Sequence, residues 1–271
     1  MKLFGKTIVV TGASGGIGSS LVSALLEHGA RVAAVDFQPE NLQKLKLDND
    51  KHSSNLFTYC VDISDRKAAN ELPRKVLTNQ GDVDGVINCA GIIQPFVKVQ
   101  DLEYDVVEHV MDVNFYGTLY ITKAFLPYLL KRPEAHIVNV SSMGGFLPVP
   151  GQSAYGASKA AVKLLTEGLY AELLETSVHV SVVYPGATDT DIAQNSGVEI
   201  PMLSRNEMQK MRSATLSPQK AAKIILKGIE KNKPQIFTGT DSKFMNRLYR
   251  VNPVFATRFI ARKMKSLLNS H

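Results

Sequence analysis

A chain of 271 residues, 44% hydrophobic and 21% charged, suits one large domain that buries its core without metals or staples. Its two cysteines, Cys60 and Cys89, lie in apolar, β-rich stretches, so two buried free thiols are expected rather than a disulfide framework. The net charge of +6 is unevenly placed: residues 242–271 hold seven Lys/Arg and no Asp or Glu, so residues 1–241 are close to neutral and carry no nucleic-acid footprint.

The first strand pattern starts almost at once. No leader pattern precedes it and no run of about 18 apolar residues occurs, so a cytoplasmic location is expected. Short β-branched runs at 7–10, 31–36, 56–61, 83–88, 136–141, 178–184 and 235–238 are predicted strands. Helical patterns fall between them at 17–28, 65–80, 101–130, 154–175 and 218–231. This βαβ rhythm predicts an α/β fold: a single-domain, Rossmann-type, doubly wound sheet of about seven parallel strands with helices on both faces. Such sheets bind ligands beyond the carboxyl ends of their strands. The unusual residues of the chain collect there.

Thr11-Gly12-Ala13-Ser14-Gly15-Gly16-Ile17-Gly18 joins the first strand to the first helix. Glycines permit a tight turn and let backbone approach a pyrophosphate at the positive end of the helix. The spacing Gly-x-x-x-Gly-x-Gly is one residue longer than the common Gly-x-Gly-x-x-Gly. In this context it points to a dinucleotide, with Gly12, Ser14, Gly16, Ile17 and Gly18 as contacts. Asp36 ends the second strand, where a carboxylate accepts hydrogen bonds from an adenosine ribose and repels a 2′-phosphate. Neither Gly15 nor Phe37 offers that phosphate a cation, so NAD(H) is favoured over NADP(H). Asp62, beside Ile63 after the third strand, has two readings: a contact to the adenine amino group, or the cap of the helix beginning near Asp65.

Tyr155-Gly156-Ala157-Ser158-Lys159 is the only Tyr-x-x-x-Lys in the chain. Residues at i and i+4 share a helix face, and an ammonium nearby favours phenolate, as proton transfer to an alcohol requires. Ser142, 13 residues upstream at a strand end, can reach the same pocket.

With these motifs in their order and spacing, the sequence resembles a short-chain dehydrogenase/reductase of the compact, single-domain (classical) type over roughly residues 5–240. The Gly12/Gly16/Gly18 turn, Asn88-Cys89-Ala90-Gly91, Asn114, Ser142, Tyr155, Lys159 and Pro185-Gly186 carry the resemblance. Cys89 departs from it, standing where the family has a second Asn. The resemblance implies Tyr155 as general acid/base and Ser142 as the group that holds and polarises the substrate oxygen. Lys159 would bind nicotinamide-ribose hydroxyls and bias Tyr155 toward phenolate. Asn114 would kink its helix and hold a water for proton relay. Asn88, Ala90, Gly91, Pro185, Gly186, Thr188 and Thr190 would complete the cofactor site, the two threonines at its carboxamide side. The implied partners are a small-molecule alcohol or carbonyl and further copies of the chain, as a homodimer or homotetramer. No metal is implied, and the six histidines show no ligand spacing and read as surface or strand-edge residues.

Three other readings stand beside this one. They are an NADPH-dependent carbonyl reductase, an epimerase or dehydratase of the longer extended type, and a non-enzymatic nucleotide-sensing scaffold. The presence of Tyr155 and Lys159 speaks against the scaffold. Ile93, Phe96, Phe146, Leu147, Met202 and Leu203 make the pocket loops apolar, either as substrate contacts or as loop-anchoring core, and suggest an apolar or lipid-like substrate. A lid is expected at about 187–213, punctuated by Gly197 and Pro201. Residues 1–241 form the expected catalytic domain and 242–271 a basic amphipathic extension. That extension has Phe255, Ala256, Phe259 and Ile260 on its apolar side, and packing on protein is favoured over peripheral contact with a membrane.

Overall fold

The computed structural model describes residues 1–198 and 215–264. Seven strands form one parallel sheet in the order β3-β2-β1-β4-β5-β6-β7. They are β1 Thr7–Thr11, β2 Arg31–Asp36, β3 Leu56–Cys60, β4 Gly85–Asn88, β5 Ala135–Val140, β6 Val178–Pro185 and β7 Gln235–Thr238. Every residue of β1, β4 and β5 is buried, the signature of a sheet covered on both faces.

On one face α1 (Gly16–Glu27), α2 (Pro39–Asp48) and α8 (Pro218–Glu230) bring Leu21, Leu25, Leu42, Ile225 and Ile229 onto the sheet. On the other, α3 (Arg66–Gln80), α5 (Thr118–Leu129) and α6 (Ser153–Glu172) bury Leu72, Val76, Ile121, Phe125 and Leu169. The order of strands reverses between β1 and β4, and a ligand crevice opens at such a switch point.

Several sequence expectations are corrected. The helix expected over 101–130 is broken: a 3₁₀ turn at Val99–Asp101, α4 at Tyr104–Met111, a π-helical turn at Asp112–Gly117, then α5. Helix α2 was not expected, because only Leu42 and Leu45 of its ten residues are buried and its apolar period is faint. Cys60 is exposed at the end of edge strand β3; Cys89 is half-buried, and both thiols are free. His136 is no surface residue but lies buried in β5.

Past β7 the chain forms α9 (Thr240–Val251) and α10 (Pro253–Lys263). Asn252 separates them, and its Oδ1 accepts from Phe255 N at 2.9 Å to cap α10. A short α7 (Ile192–Asn195) lies within the segment 187–213 where a lid is expected; residues 199–214, with Pro201, Met202 and Leu203, lie outside the described residues. Met245, Ala256 and Ile260 close over Leu147 in a third apolar cluster, which fixes the two helices to the loop after β5. No described helix is long and apolar enough to cross a membrane.

Candidate active site

A cleft of ≈ 450 Å³ opens at the carboxyl ends of the strands, a volume in the range of small-ligand sites. Its nucleotide side is built from turns. A Cβ at Gly18 would stand 1.9 Å from the Gly12 carbonyl oxygen, so the loop can curl back on α1 only with glycine there. No side chain caps α1 and no acid lies in its first turn. Its leading amides therefore face the cleft with the positive end of the helix dipole, a fit for a pyrophosphate.

Asp36 sits beside this turn, held by Ser14 N at 3.0 Å and Ser14 Oγ at 2.5 Å on Oδ2, and by Phe37 N at 2.9 Å on Oδ1. Further along the wall, Asp62 accepts from Ser64 N at 2.9 Å and Ser64 Oγ at 2.6 Å. It does not cap α3. That is done by Asp65, which accepts from Lys67 N and Ala68 N. Asp62 and Ile63 both line the cleft, as do Gly12, Ser14, Gly16, Ile17, Gly18, Ala90 and Gly91.

The chemical side gathers Ser142, Tyr155 and Lys159, with Pro185, Gly186, Thr188 and Thr190 on the opposite lip. Ser142 Oγ accepts from Gly144 N at 3.0 Å, and the same hydroxyl acts on the Tyr155 phenol, favouring its ionised form. Burial raises the Tyr155 pKa above its usual 10, and the Ser142 hydroxyl offsets part of the rise. The lowering expected from Lys159 is not found: burial raises the pKa, and the group that offsets it is Ser142. Lys159 donates to the Val140 carbonyl at 3.1 Å, and burial pushes its ammonium down to about 8. A side chain at Gly91 would meet Lys159 Nζ at 2.8 Å and Asn114 Oδ1 at 3.1 Å, so both groups converge on one bare stretch of backbone.

Asn114 and Asn88 stand back from the cleft. Asn114 lies in the π-helical turn, where Oδ1 accepts from Ile92 N at 2.9 Å and Nδ2 donates to Ile92 O and Ser158 Oγ. The widened turn aims the amide sideways, at the strand-end loop and at α6. Asn88, expected to touch the cofactor, directs its amide into the sheet instead, donating to Thr122 Oγ1 at 3.0 Å and Asn139 Oδ1 at 2.8 Å. Cys89 and Ala90 are tied to β1 through their amides, which both donate to Thr11 Oγ1. Burial raises the Cys89 thiol to about 12, so it rests as the neutral thiol. Leu147 is fully buried core, and Phe146 packs edge-on against Tyr184 rather than lining the cleft. Ile93 and Phe96 do not line it either; Ile92, Val113 and Ile192 are among the apolar residues that do.

One residue of the constellation carries no motif. Gln94 is fully buried, and its Oε1 accepts from Ala154 N at 2.7 Å and Tyr155 N at 3.1 Å. These are orphan amides of the first turn of α6, which no neighbouring side chain caps. Its Nε2 donates to Gly151 O at 3.0 Å, and its carbonyl accepts from Gln152 Nε2 at 2.7 Å. The loop after β4 thereby fixes the start of the helix that carries Tyr155. The only hint in the sequence is a glutamine set among Ile92, Ile93, Pro95 and Phe96.

Residues 6–200 match the short chain dehydrogenase family. SadH of Mycobacterium tuberculosis, a protein classed by its name alone as an oxidoreductase, is 34% identical over 261 residues, spanning 95% of this chain and 94% of that protein. Two solved structures share the fold. One is a short-chain dehydrogenase/reductase from Burkholderia phymatum in complex with NAD (TM-score 0.84, 24% identity, 94% of this chain and 96% of that one). The other is a short-chain dehydrogenase from Burkholderia cenocepacia in complex with NADP (TM-score 0.79, 26% identity, 96% and 99%). With the family matched over most of its length and the strand-end site in place, the chain belongs to the short-chain dehydrogenase/reductase family of oxidoreductases.

Proposed function

We propose that the chain moves a hydride between NAD(H) and a secondary alcohol or ketone of apolar, lipid-like character, with Tyr155 as general acid/base. The observation that carries this reading is the convergence of Ser142, Tyr155 and Lys159 on the cleft that also receives the uncapped end of α1. NAD, when bound, supplies the hydride acceptor or donor at its nicotinamide ring. The Ser142 hydroxyl holds the substrate oxygen. Tyr155 takes the hydroxyl proton during oxidation and returns it during reduction; its raised pKa keeps it in the acid form that ketone reduction needs. Lys159 binds ribose hydroxyls and sets positive charge near the phenol, Asn114 orients the segment between α4 and α5, and Thr188 and Thr190 face the carboxamide.

The relatives bound to NAD and to NADP support a nicotinamide dinucleotide, and the Asp36 carboxylate favours the one without a 2′-phosphate. Ile92, Val113 and Ile192 favour an apolar substrate. Residues 1–241 form the catalytic body. The exposed Leu164 and Tyr170 of α6, with Leu174 just past its end and Tyr116 in the π-helical turn, fit a homo-oligomeric contact. The substitution Tyr155→Phe tests the mechanism: turnover falls at least about 10²-fold while NAD titrates as in the wild type. Retained turnover overturns it.

A further inference from the structure

Helices α9 and α10 turn an incomplete apolar side toward the body. Ala256 and Ile260 are buried, but Phe255 and Phe259 remain 54% and 38% exposed, stacked with their ring centroids 6.5 Å apart. Phe244, Val251 and Val254 are also exposed, and the last two flank the bend between the helices. The apolar side expected from the sequence is therefore split, and its aromatic half faces out. The same two helices carry Lys243, Arg247, Arg258, Arg262 and Lys263, all exposed, with Lys263 Nζ 5.8 Å from the Phe259 ring centre. None of the five forms an ion pair among the described residues, and residues 242–271 contain no acid to offer one.

We propose that this face seats the protein on an anionic phospholipid surface. Phe255, Phe259 and Val254 would enter the boundary between headgroups and acyl chains, with Arg247, Arg258, Arg262 and Lys263 against the phosphates. Exposed aromatics interleaved with unpaired cations on a short helical elbow suit an interface that is apolar beneath and negative above. A second copy is a poor occupant, because a two-fold contact would set the same five cations against each other. The opposite side of the elbow packs on Leu147, five residues beyond Ser142. The start of α9 is held at the cleft's rim, where Ala187 N donates to Asp241 at 2.9 Å. Docking thus brings the cleft near the lipid. Given the proposed function, on which this consequence alone rests, the substrate is an alcohol or ketone dissolved in the membrane.

Co-sedimentation of the full chain with vesicles of phosphatidylcholine, alone or mixed with phosphatidylglycerol, tests the docking without any assay of turnover. Binding to the mixed vesicles should exceed that to phosphatidylcholine at least about tenfold and weaken as salt rises. The double substitutions Phe255→Ser with Phe259→Ser, and Arg258→Glu with Arg262→Glu, should each lower partitioning about tenfold or more, without changing the melting temperature. Equal binding to both vesicles, or wild-type partitioning by either variant, overturns the proposal. So does lipid-free self-association that the phenylalanine variant abolishes, which would make the face a contact between copies. A working Tyr155→Phe variant would remove the proposed reaction and leave the sedimentation result standing.

Discussion

The two sides of the cleft are held by different means. On the nucleotide side several supports are short-range: a glycine turn curls onto its own helix, and Asp36 is fixed by the adjoining Phe37 and by Ser14, 22 residues away across one crossover. On the chemical side the supports come from far along the chain. Gln94 reaches the first turn of α6 across 60 residues, and Asn114 reaches Ser158 across 44. Local supports place backbone amides, which tolerate change in the surrounding side chains. Distant supports fix the helix that carries Tyr155 and Lys159, whose side-chain atoms a shift of about 1 Å can misplace at a cost of 10²-fold in rate.

The comparison breaks most sharply at Gln94. Replacing it with Leu removes one acceptor from two buried amides and one donor from Gly151 O, and loosens the turn that aims Tyr155. Turnover is expected to fall about 10- to 100-fold with NAD affinity unchanged. Gln94→Glu, which keeps the acceptor but sets a carboxylate against Gly151 O, should fall between. Rate and cofactor titration measured together decide it: equal loss of NAD binding would show that the two sides are one unit.

This division also governs what the sequence discloses. Strand ends, the Gly12–Gly18 turn and Tyr155 with Lys159 are legible because each is a short pattern whose chemistry needs those residues at that spacing. Gln94 is not, since its partners are backbone amides that have no sequence identity. The π-helical turn is equally silent: residues 101–130 keep an apolar helical period throughout, and one extra residue per turn leaves no mark on composition. Asn88 shows the converse. Its place in a motif names it, but the neighbours that claim its amide, Thr122 and Asn139, are set by tertiary packing.

A second test separates the cleft's response to pH from that of the sheet beneath it. His136 bonds Ser181 Oγ at 2.7 Å, and Ser181 gives its own proton to Lys233 O at 2.6 Å, so His136 Nε2 is the donor and Nδ1 is bare. Burial, with His179 alongside, pushes His136 from the ordinary 6.5 down to about 3. The unfolded chain therefore binds the extra proton between those values. The stability contribution is present above about 6.5 and is lost as pH falls. Between pH 7 and about 5 the loss is on the order of 2 kcal/mol, roughly 30-fold in the folding equilibrium. Denaturant melts of wild type and His136→Phe across that range should show a flatter profile in the variant. Parallel profiles would place the acid sensitivity elsewhere.

The smallest effect is expected on the nucleotide side, at Asp36. Its carboxylate is nearly buried and pinned on both oxygens, so it cannot swing away from an incoming 2′-phosphate. Gly15, Phe37, Gln38 and Asn41 line the cleft around it, and none is basic. The only Lys or Arg in the described lining is Lys159, on the chemical side. On the proposed reading, the 2′-phosphate is disfavoured by the Asp36 charge, and no cation in the described lining rewards it. Asp36→Asn removes the charge and keeps an acceptor for Ser14 N, so the turn should hold its shape. Losing one partly screened charge is worth about 1.4 kcal/mol, and the ratio of kcat/KM for NAD over NADP should fall about tenfold. It should not invert, because nothing in the variant binds the phosphate. Steady-state kinetics with both cofactors check this, and equal wild-type efficiency with NAD and NADP would remove Asp36 as the selector.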